Sequence, residues 1–361
     1  MRIVVTGADG FLGWHTRTRL RARTRHRVRS VGRVEWPALP QLLADADAVL
    51  HLAGVNRGTD REVLEGNIRL AEDVAAAVRG SRRPPVVIFA NSVRAGEDTA
   101  YGAGKREAAS ILAGAAEEAG TRFCDVRLPN LFGEHGRPGY NSFVATFAAA
   151  VAGGRIPTVD DRDIELLHVQ AAAEALIAAA TDPTGAGRPQ GTATSVGEVL
   201  DILRAQHGVY REGDMPTLAS PLEVDLFNTL RATMADHQPS IPLVRRTDPR
   251  GSLVELVRAH GGGGQTFFST TRPGVTRGQH FHLRKVERFV VVSGTARISL
   301  RRVLTDEVRH IEVSGDVPVA VDMPTMWAHS LTNIGHADLT TIFWTNELFD
   351  PDDPDTYPED V

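Results

Sequence analysis

The chain has 361 residues, more than one hydrophobic core usually serves, so two domains are expected. Its 40 Lys and Arg stand against 45 Asp and Glu, a net charge of −5 that excludes a general binder of nucleic acid or of acidic membranes. A single cysteine, Cys124, excludes an internal disulfide framework, and no apolar run approaches the ~20 residues of a membrane-spanning helix.

The chain opens on the strand-like Arg2–Thr6 with no room for a signal peptide, so a cytoplasmic location is expected. Further short Val/Ile-rich runs follow at Arg27–Val31, Ala48–Ala53, Val86–Ala90 and Arg122–Leu128. Between them, stretches such as Asn67–Val78 and Gly104–Ala119 have the length and period of amphipathic helices. This alternation predicts an α/β Rossmann-type doubly wound parallel sheet. Asp182–Gln190 reads as a Pro/Gly loop, Thr194–Ala205 and Ser220–Asp236 as helices, and Gln238–Pro242 as a boundary. Beyond it the texture turns to β-rich runs with Gly turns: Leu253–Arg258, Gln265–Ser269, Arg288–Val292, Ala296–Arg302, Val317–Val321 and Leu339–Trp344. That pattern predicts an all-β domain, sandwich or barrel, and a division into residues 1–240 and 241–361.

Gly7, Gly10 and Gly13, spaced Gly-x-x-Gly-x-x-Gly after the first strand, form a dinucleotide-binding turn. The glycines let the backbone approach a pyrophosphate, and the following helix offers its positive end. Phe11 and Leu12 within the turn, and Leu52 and Ala53 at the end of the third strand, are expected to line the same cofactor site. Near the end of the second strand, where an NAD enzyme carries an acid, stand Arg29, Ser30 and Arg33. A cation there favours the ribose phosphate of NADPH, unless these arginines are merely solvated. Tyr101 and Lys105 lie one helical turn apart. Lys105 is expected to lower the tyrosine pKa, so that Tyr101 donates a proton to a carbonyl while Ser92 polarises the same oxygen. The set resembles the extended short-chain dehydrogenases/reductases, although the Ser-to-Tyr spacing of nine is short for them. Downstream, Asn130 and Arg162 are candidates for binding a substrate pyrophosphate, with a local turn cap as the alternative role of Asn130.

The run Gly274-x5-His280-x-His282-x4-Glu287-x6-Gly294 is the complete first motif of the cupin barrels, and Pro324-x4-His329-x3-Asn333 is the second. His280 and His282, two apart on a strand, share a face, so three imidazoles and the Glu287 carboxylate can meet inside a barrel. Such a set suits Zn, Fe, Mn or Ni; histidines that only hydrogen-bond in a metal-free barrel are the alternative. Met326 stands where the second motif usually has Gly, which puts that turn's geometry in question. The isolated His15, His26, His237 and His260 read as packing or surface residues. Only two lysines occur, Lys105 and Lys285, each inside one of the two motif regions.

Nearly end to end, the chain resembles the CapF/WbjC/FnlB family of capsule and O-antigen biosynthesis. The resemblance includes Leu52–Arg57, Leu128–Gly133, Tyr140–Ser142, Asp160–Arg162, Asp248–Ser252, Gly278–His282, Asn346–Phe349 and Pro354–Tyr357. It implies a bifunctional enzyme. The barrel would epimerise C3 of a UDP-linked keto-deoxy amino sugar, a UDP-2-acetamido-2,6-dideoxy-4-hexulose. The first domain would then reduce C4 with NADPH to UDP-2-acetamido-2,6-dideoxy-L-talose. The family's Zn2+ ligands map onto His280, His282, Glu287 and His329, and its proton donor and lysine onto Tyr101 and Lys105. A homodimer is expected, because cupins offer β-edges and flat apolar faces that pair. A simple reductase with a structural, dimerising barrel and a ligand sensor with a degenerate reductase domain remain the competing readings.

Overall fold

A computed structural model describes residues 1–182, 187–235 and 238–361. Part of the loop read at Asp182–Gln190, the end of the helix read to Asp236, and His237 lie outside the described residues. The first half runs β1 (Arg2–Thr6), α1 (Phe11–Arg23), β2 (Arg27–Val31), α2 (Leu39–Leu43), β3 (Ala48–His51), α3 (Asp60–Arg79), β4 (Val86–Ser92), α4 (Ala100–Glu118) and β5 (Phe123–Leu128). There follow β6 (Asn130–Phe132), α5 (Phe143–Ala152), β7 (Asp163–His168), α6 (Val169–Thr181), β8 (Thr192–Ser195), α7 (Val196–Tyr210) and α8 (Pro221–Ala235). Among the described residues no helix is long and apolar enough to cross a membrane.

The described chain divides into two compact units, residues 1–131 with 164–193, and residues 132–163 with 194–361. In the first, five parallel strands pair in the order β2-β1-β3-β4-β5. Their side chains alternate between two cores. Ile3, Val5, Leu50 and Ile88 pack with Leu20 of α1 and Leu176 of α6 on one face. Val4, Val49, Val87 and Phe89 pack with Val74 of α3 and Leu112 of α4 on the other. Burial on both faces is why these strands read as unbroken apolar runs, and it makes the sheet doubly wound as expected. A capping box between Thr59 and Glu62 starts α3, and the Thr99 hydroxyl caps α4 by accepting from Gly102 N at 3.1 Å.

The second unit carries β9 (Ile241–Pro242), β10 (Arg245–Asp248), β11 (Gly251–Val254), β12 (Gln265–Thr271), β13 (Thr276–Phe281), β14 (Glu287–Ser293), β15 (Thr295–Arg302), β16 (Val308–Ser314), β17 (Val319–Met323), β18 (Trp327–Asn333), β19 (Leu339–Thr345) and β20 (Tyr357–Pro358). Two five-stranded antiparallel sheets, β12-β19-β14-β17-β9 and β16-β15-β18-β13-β20, share the core of Phe289, Ile298, Leu331 and Phe343. This is the all-β cupin barrel that the motifs predict. The strand expected at Leu253–Arg258 ends at Val254, and β9, β10, β13, β16, β18 and β20 had no counterpart among the expected runs, although the His280/His282 spacing placed a strand at β13.

Alternation along β14 sends Glu287 into the barrel and Arg288 out of it. Arg288, 1% exposed, lies opposite Asp322 in the β14–β17 register and binds it through Nε–Oδ1 at 2.7 Å and Nη2–Oδ2 at 2.9 Å. Its Nη1 donates to Gly213 O at 2.6 Å, and Tyr210 of α7 donates to Asp322 Oδ2 at 2.7 Å. Tyr210 and Phe227 of α8 also pack against Val286 and Trp344, so both helices clad the barrel through one buried ion pair and one apolar patch. Asp322→Ala should cost about 3–5 kcal/mol in urea unfolding of this unit, because it strands a buried guanidinium. Replacing both partners, Arg288→Met with Asp322→Leu, should recover most of that loss. Equal destabilisation by the single and double variants would show that the pair is not a coupled unit.

Candidate active site and metal centre

In the first unit the glycine turn joins β1 to α1. Gly7 takes φ +65°, and a Cβ there would stand 2.7 Å from Ala53 N. A Cβ on Gly13 would lie 2.1 Å from Gly7 O, so only glycine lets α1 approach the strand end this closely. Gly10 begins α1 with no side-chain cap, which leaves the first helical N–H groups open to an anion. Leu52 and Ala53, also expected here, donate their backbone N–H to Thr6 Oγ1 at 3.2 and 3.3 Å. Thr6 in turn bonds His51 Nδ1 at 2.8 Å. His51, which drew no notice in the sequence, is buried and stacks on Phe89; burial and the neighbouring Lys105 hold its pKa down to about 3. These residues tie the carboxyl ends of β1 and β3 together. The strand order reverses there, and open α/β sheets bind their ligands at such a switch point.

Ser92 ends β4, and its hydroxyl accepts from Arg94 N at 3.2 Å and acts on the Tyr101 phenol. Burial pushes the Tyr101 phenol up, while Ser92 and the Arg94 guanidinium draw it partly back. The expected lowering by Lys105 is not what this geometry gives. Lys105 is buried, donates to Ala90 O at 2.8 Å, and stands 4.4 Å from the centre of the Phe89 ring. Burial lowers its own pKa to about 8, against the pull of Asp125. The cation placed over the Tyr101 ring is Arg94, 5.6 Å from its centre.

Of the expected cations, Arg29 pairs with Asp45 at 2.9 Å and Arg33 is exposed. Gly32, between them, lies beside two carboxylates: its N–H donates to Glu35 Oε2 at 2.9 Å, and Asp9 is close enough to meet a Cβ built there. Asn130 donates to Glu165 O at 3.3 Å, whereas Arg162 is exposed and pairs with Asp160 at 3.4 Å. The two fall in different units. His15 is a core residue bonded to Gln170 at 2.8 Å, and His260 binds Asp214 at the surface.

In the barrel, ligand atoms of His280, His282, Glu287 and His329 all lie within 4.8 Å of one another. β13 and β18 pair His280 with His329, and a bulge between Gly278 and His280 turns the strand. Glu287 Oε2 sits 3.1 Å from His282 Nε2 and 3.3 Å from His329 Nε2. Burial would push the Glu287 carboxyl up, but contact with His282 and His329 holds it well below the usual carboxylate range. Burial, with His329 and His282 nearby, holds His280 at about 3, so its imidazole is neutral and its lone pair free. His329 Nε2 is buried and makes no hydrogen bond, an orphan that a metal ion would satisfy. His282 Nδ1 meets Asp355 O at 2.6 Å and His329 Nδ1 meets Trp327 O at 3.1 Å, which turns each Nε2 toward the cluster. Three nitrogens and one carboxylate oxygen fit a divalent transition metal.

Met326 does not break the second motif. It accepts φ 61°, is fully buried, and donates its N–H to His282 O at 2.7 Å. Sequence reasoning gave no role to Asp355. Its buried carboxylate accepts from the N–H groups of Leu283, Arg284 and Lys285 at 3.1, 3.0 and 2.8 Å, fixing the turn between two ligand strands. Its one signal was its place in the Pro354–Tyr357 stretch of the family resemblance.

The first unit is an oxidoreductase scaffold of the extended short-chain class. Residues 3–196 match the NAD dependent epimerase/dehydratase family, and residues 246–357 the polysaccharide biosynthesis C-terminal domain. The chain is 32% identical over 379 residues to the UDP-2-acetamido-2,6-beta-L-arabino-hexul-4-ose reductase of Pseudomonas aeruginosa, covering 99% of this chain and 98% of that one. It is similar to the capsular polysaccharide assembling protein CapF from Staphylococcus aureus, with 34% identity, a TM-score of 0.65 and 100% of both chains covered. The UDP-glucose 4-epimerase of Thermus thermophilus in complex with NAD shares the fold over 64% of this chain and 99% of that one, at 20% identity and a TM-score of 0.52. The chain belongs to the CapF/WbjC/FnlB family, as the motifs implied.

If the cluster holds a metal, the purified protein will carry about one divalent transition ion per chain by elemental analysis, and His329→Ala will carry none. Asp355→Ala should weaken that affinity about 10–100-fold, the usual cost of losing an orienting partner. Undiminished metal content in His329→Ala would dismiss the site.

Proposed function

We propose a bifunctional nucleotide-sugar enzyme that epimerises C3 of a UDP-2-acetamido-2,6-dideoxy-4-hexulose and then reduces C4 with NADPH. The product would be UDP-2-acetamido-2,6-dideoxy-L-talose, made for surface polysaccharide or glycoconjugate synthesis in the cytoplasm. Reduction belongs to residues 1–240 and epimerisation to residues 241–361. One observation carries the reading: the chain joins Ser92, Tyr101 and a buried Lys105 to a cluster of three imidazoles and one carboxylate. End-to-end similarity to a protein named for a hexul-4-ose reductase supports the same substrate class.

In this reading Gly7, Gly10, Phe11, Leu12, Gly13, Arg33, Leu52, Ala53, Tyr101 and Lys105 would hold NADPH, which when bound would be the hydride source for C4. Ser92 hydrogen-bonds the C4 oxygen and Tyr101 gives it a proton. A phenol whose pKa is raised by burial stays protonated at neutral pH, as a donor must. Lys105 carries its positive charge below about pH 8 and steadies the developing alkoxide. Asn130, which lies in the first unit with the nucleotide turn, binds the diphosphate. His280, His282, Glu287 and His329 hold Zn2+, which offers Lewis acidity toward a ketone oxygen. The β12 edge leaves Phe268 70% exposed, in keeping with a homodimer, which light scattering reads directly.

The test incubates the protein with NADPH and the UDP-4-keto-6-deoxy-HexNAc in deuterated water. NADPH consumption with deuterium at C3 of the product is expected. The reduction rate should fall as pH rises through about 8, where Lys105 loses its proton, and C3 exchange should not follow it. Consumption without C3 label would leave a reductase with a structural barrel, and no consumption would defeat the reading.

A further inference from the structure

The barrel cluster opens into a cavity of about 190 Å³ lined by Gln265, Lys285, Thr345, Glu347, Phe349 and Thr356 in addition to ligand residues. Epimerising a carbon beside a ketone needs a group that removes a proton from it, and the ligand residues cannot serve while they hold a metal. Of the other lining residues only two are ionisable, Lys285 and Glu347. Lys285 Nζ donates to Pro354 O at 2.7 Å, so it offers a proton rather than a lone pair. Resting on the reading that this barrel epimerises C3, we infer that Glu347 is the catalytic base.

Its placement is built. Thr345, the register partner of Glu287, ends β19, and Glu347 follows two residues later. The chain bends at Asn346 and Glu347, and Thr345 and Glu347 both line the cavity into which the cluster opens. The segment that carries it is clasped at several points. Thr345 Oγ1 donates to Glu347 O at 2.8 Å, Val286 N to Asn346 Oδ1 at 2.9 Å, and Phe349 N to Gln265 Oε1 at 3.0 Å. Arg284 Nε lies 3.3 Å from Glu347 Oε2, and the Glu347 side chain is 29% exposed. The second Glu347 oxygen has no hydrogen bond among those of the described residues.

The step balances without an oxidant or reductant. The Glu347 carboxylate takes the C3 proton. The C3–H electron pair becomes the C3=C4 double bond of an enolate, and the carbonyl π pair moves to the C4 oxygen. Water then delivers a proton to the opposite face of C3, the ketone re-forms, and Glu347 releases its proton to solvent.

Omitting NADPH isolates this step, and wash-in of deuterium at C3 measures it. Glu347→Gln should slow wash-in by about 100-fold or more, the usual contribution of a general base, with bound metal unchanged. Glu347→Asp should retain more activity than Glu347→Gln. Formate added to Glu347→Ala should restore wash-in, which a merely structural role would not allow. Wash-in by Glu347→Gln at the wild-type rate, loss of metal along with wash-in, or no rescue by formate would overturn the assignment. No wash-in by the wild-type protein would instead defeat the epimerase reading itself.

Discussion

A carboxylate buried among imidazoles is tolerable only if positive charge or donated hydrogen bonds surround it, and Glu287 imposes that condition on the whole barrel. His282 and His329 meet its oxygen from strands far apart in sequence, and each imidazole is aimed by a backbone carbonyl at its other nitrogen. Those carbonyls belong to Asp355, in a loop, and to Trp327, at the start of β18, so backbone as well as side-chain packing aims the cluster. Asp355 answers twice, through its carbonyl to His282 and through its carboxylate to three N–H groups of the turn after that histidine. The left-handed backbone at Met326 belongs to the same scheme, because its N–H binds His282 O. A conformation that glycine adopts freely costs a side chain on the order of 1 kcal/mol, and burial of the Met326 side chain offsets it.

The same economy of alternation appears on the other face of β14. One residue past Glu287, Arg288 carries a second buried charge outward to Asp322 and Tyr210. Two ionic systems on opposite faces of one strand pin its register, since a slip of one residue would exchange them. In the first unit the buried charge is Lys105. Desolvation lowers its pKa to about 8, and Asp125, the Ala90 carbonyl and the Phe89 ring offset part of that cost. Such an ammonium is poised to answer negative charge developing on a bound substrate, which is a reason for one of the two lysines in a chain that is otherwise rich in arginine.

The parallel sheet was legible because both its faces are apolar; β1, β2 and β4 begin where their Val/Ile runs begin. The barrel was less so. Strands β13, β16 and β18 read Thr-Arg-Gly-Gln-His-Phe, Val-Arg-His-Ile-Glu-Val-Ser and Trp-Ala-His-Ser-Leu-Thr-Asn, where polar and ligand side chains interrupt the apolar alternation that marks a strand. Spacing alone identified the four cluster residues, because motif spacing fixes which side chains share a face. It carried no information about Asp355 and Glu347, which reach the site from loops far downstream of His282 and act through backbone capping and segment position. The charge environment of Tyr101 was also beyond it. Lys105 follows Tyr101 by one turn, yet its ammonium goes to Ala90 O, and Arg94 covers the ring instead. Similarly, Arg29 looked free to bind a phosphate until Asp45 proved to be its partner.

Under the proposed function, chemistry dictates the order of the two steps and gives a reason to keep both on one chain. The C3 proton is acidic only while C4 is a ketone, because the enolate needs the carbonyl to take its electron pair. Hydride addition at C4 abolishes that acidity and freezes whichever C3 configuration is then present. Epimerisation is reversible, so reduction is the step that selects one epimer and makes the change permanent. A reductase site that held the un-epimerised ketone equally well would trap the wrong sugar. Discrimination between C3 epimers must therefore reside in the reducing site, whereas the barrel need only let protons come and go at one carbon. That division matches the chemistry each unit carries: the hydroxyls of Ser92 and Tyr101 in the first, and in the second a small cavity in which a carboxylate stands beside a cluster of imidazoles.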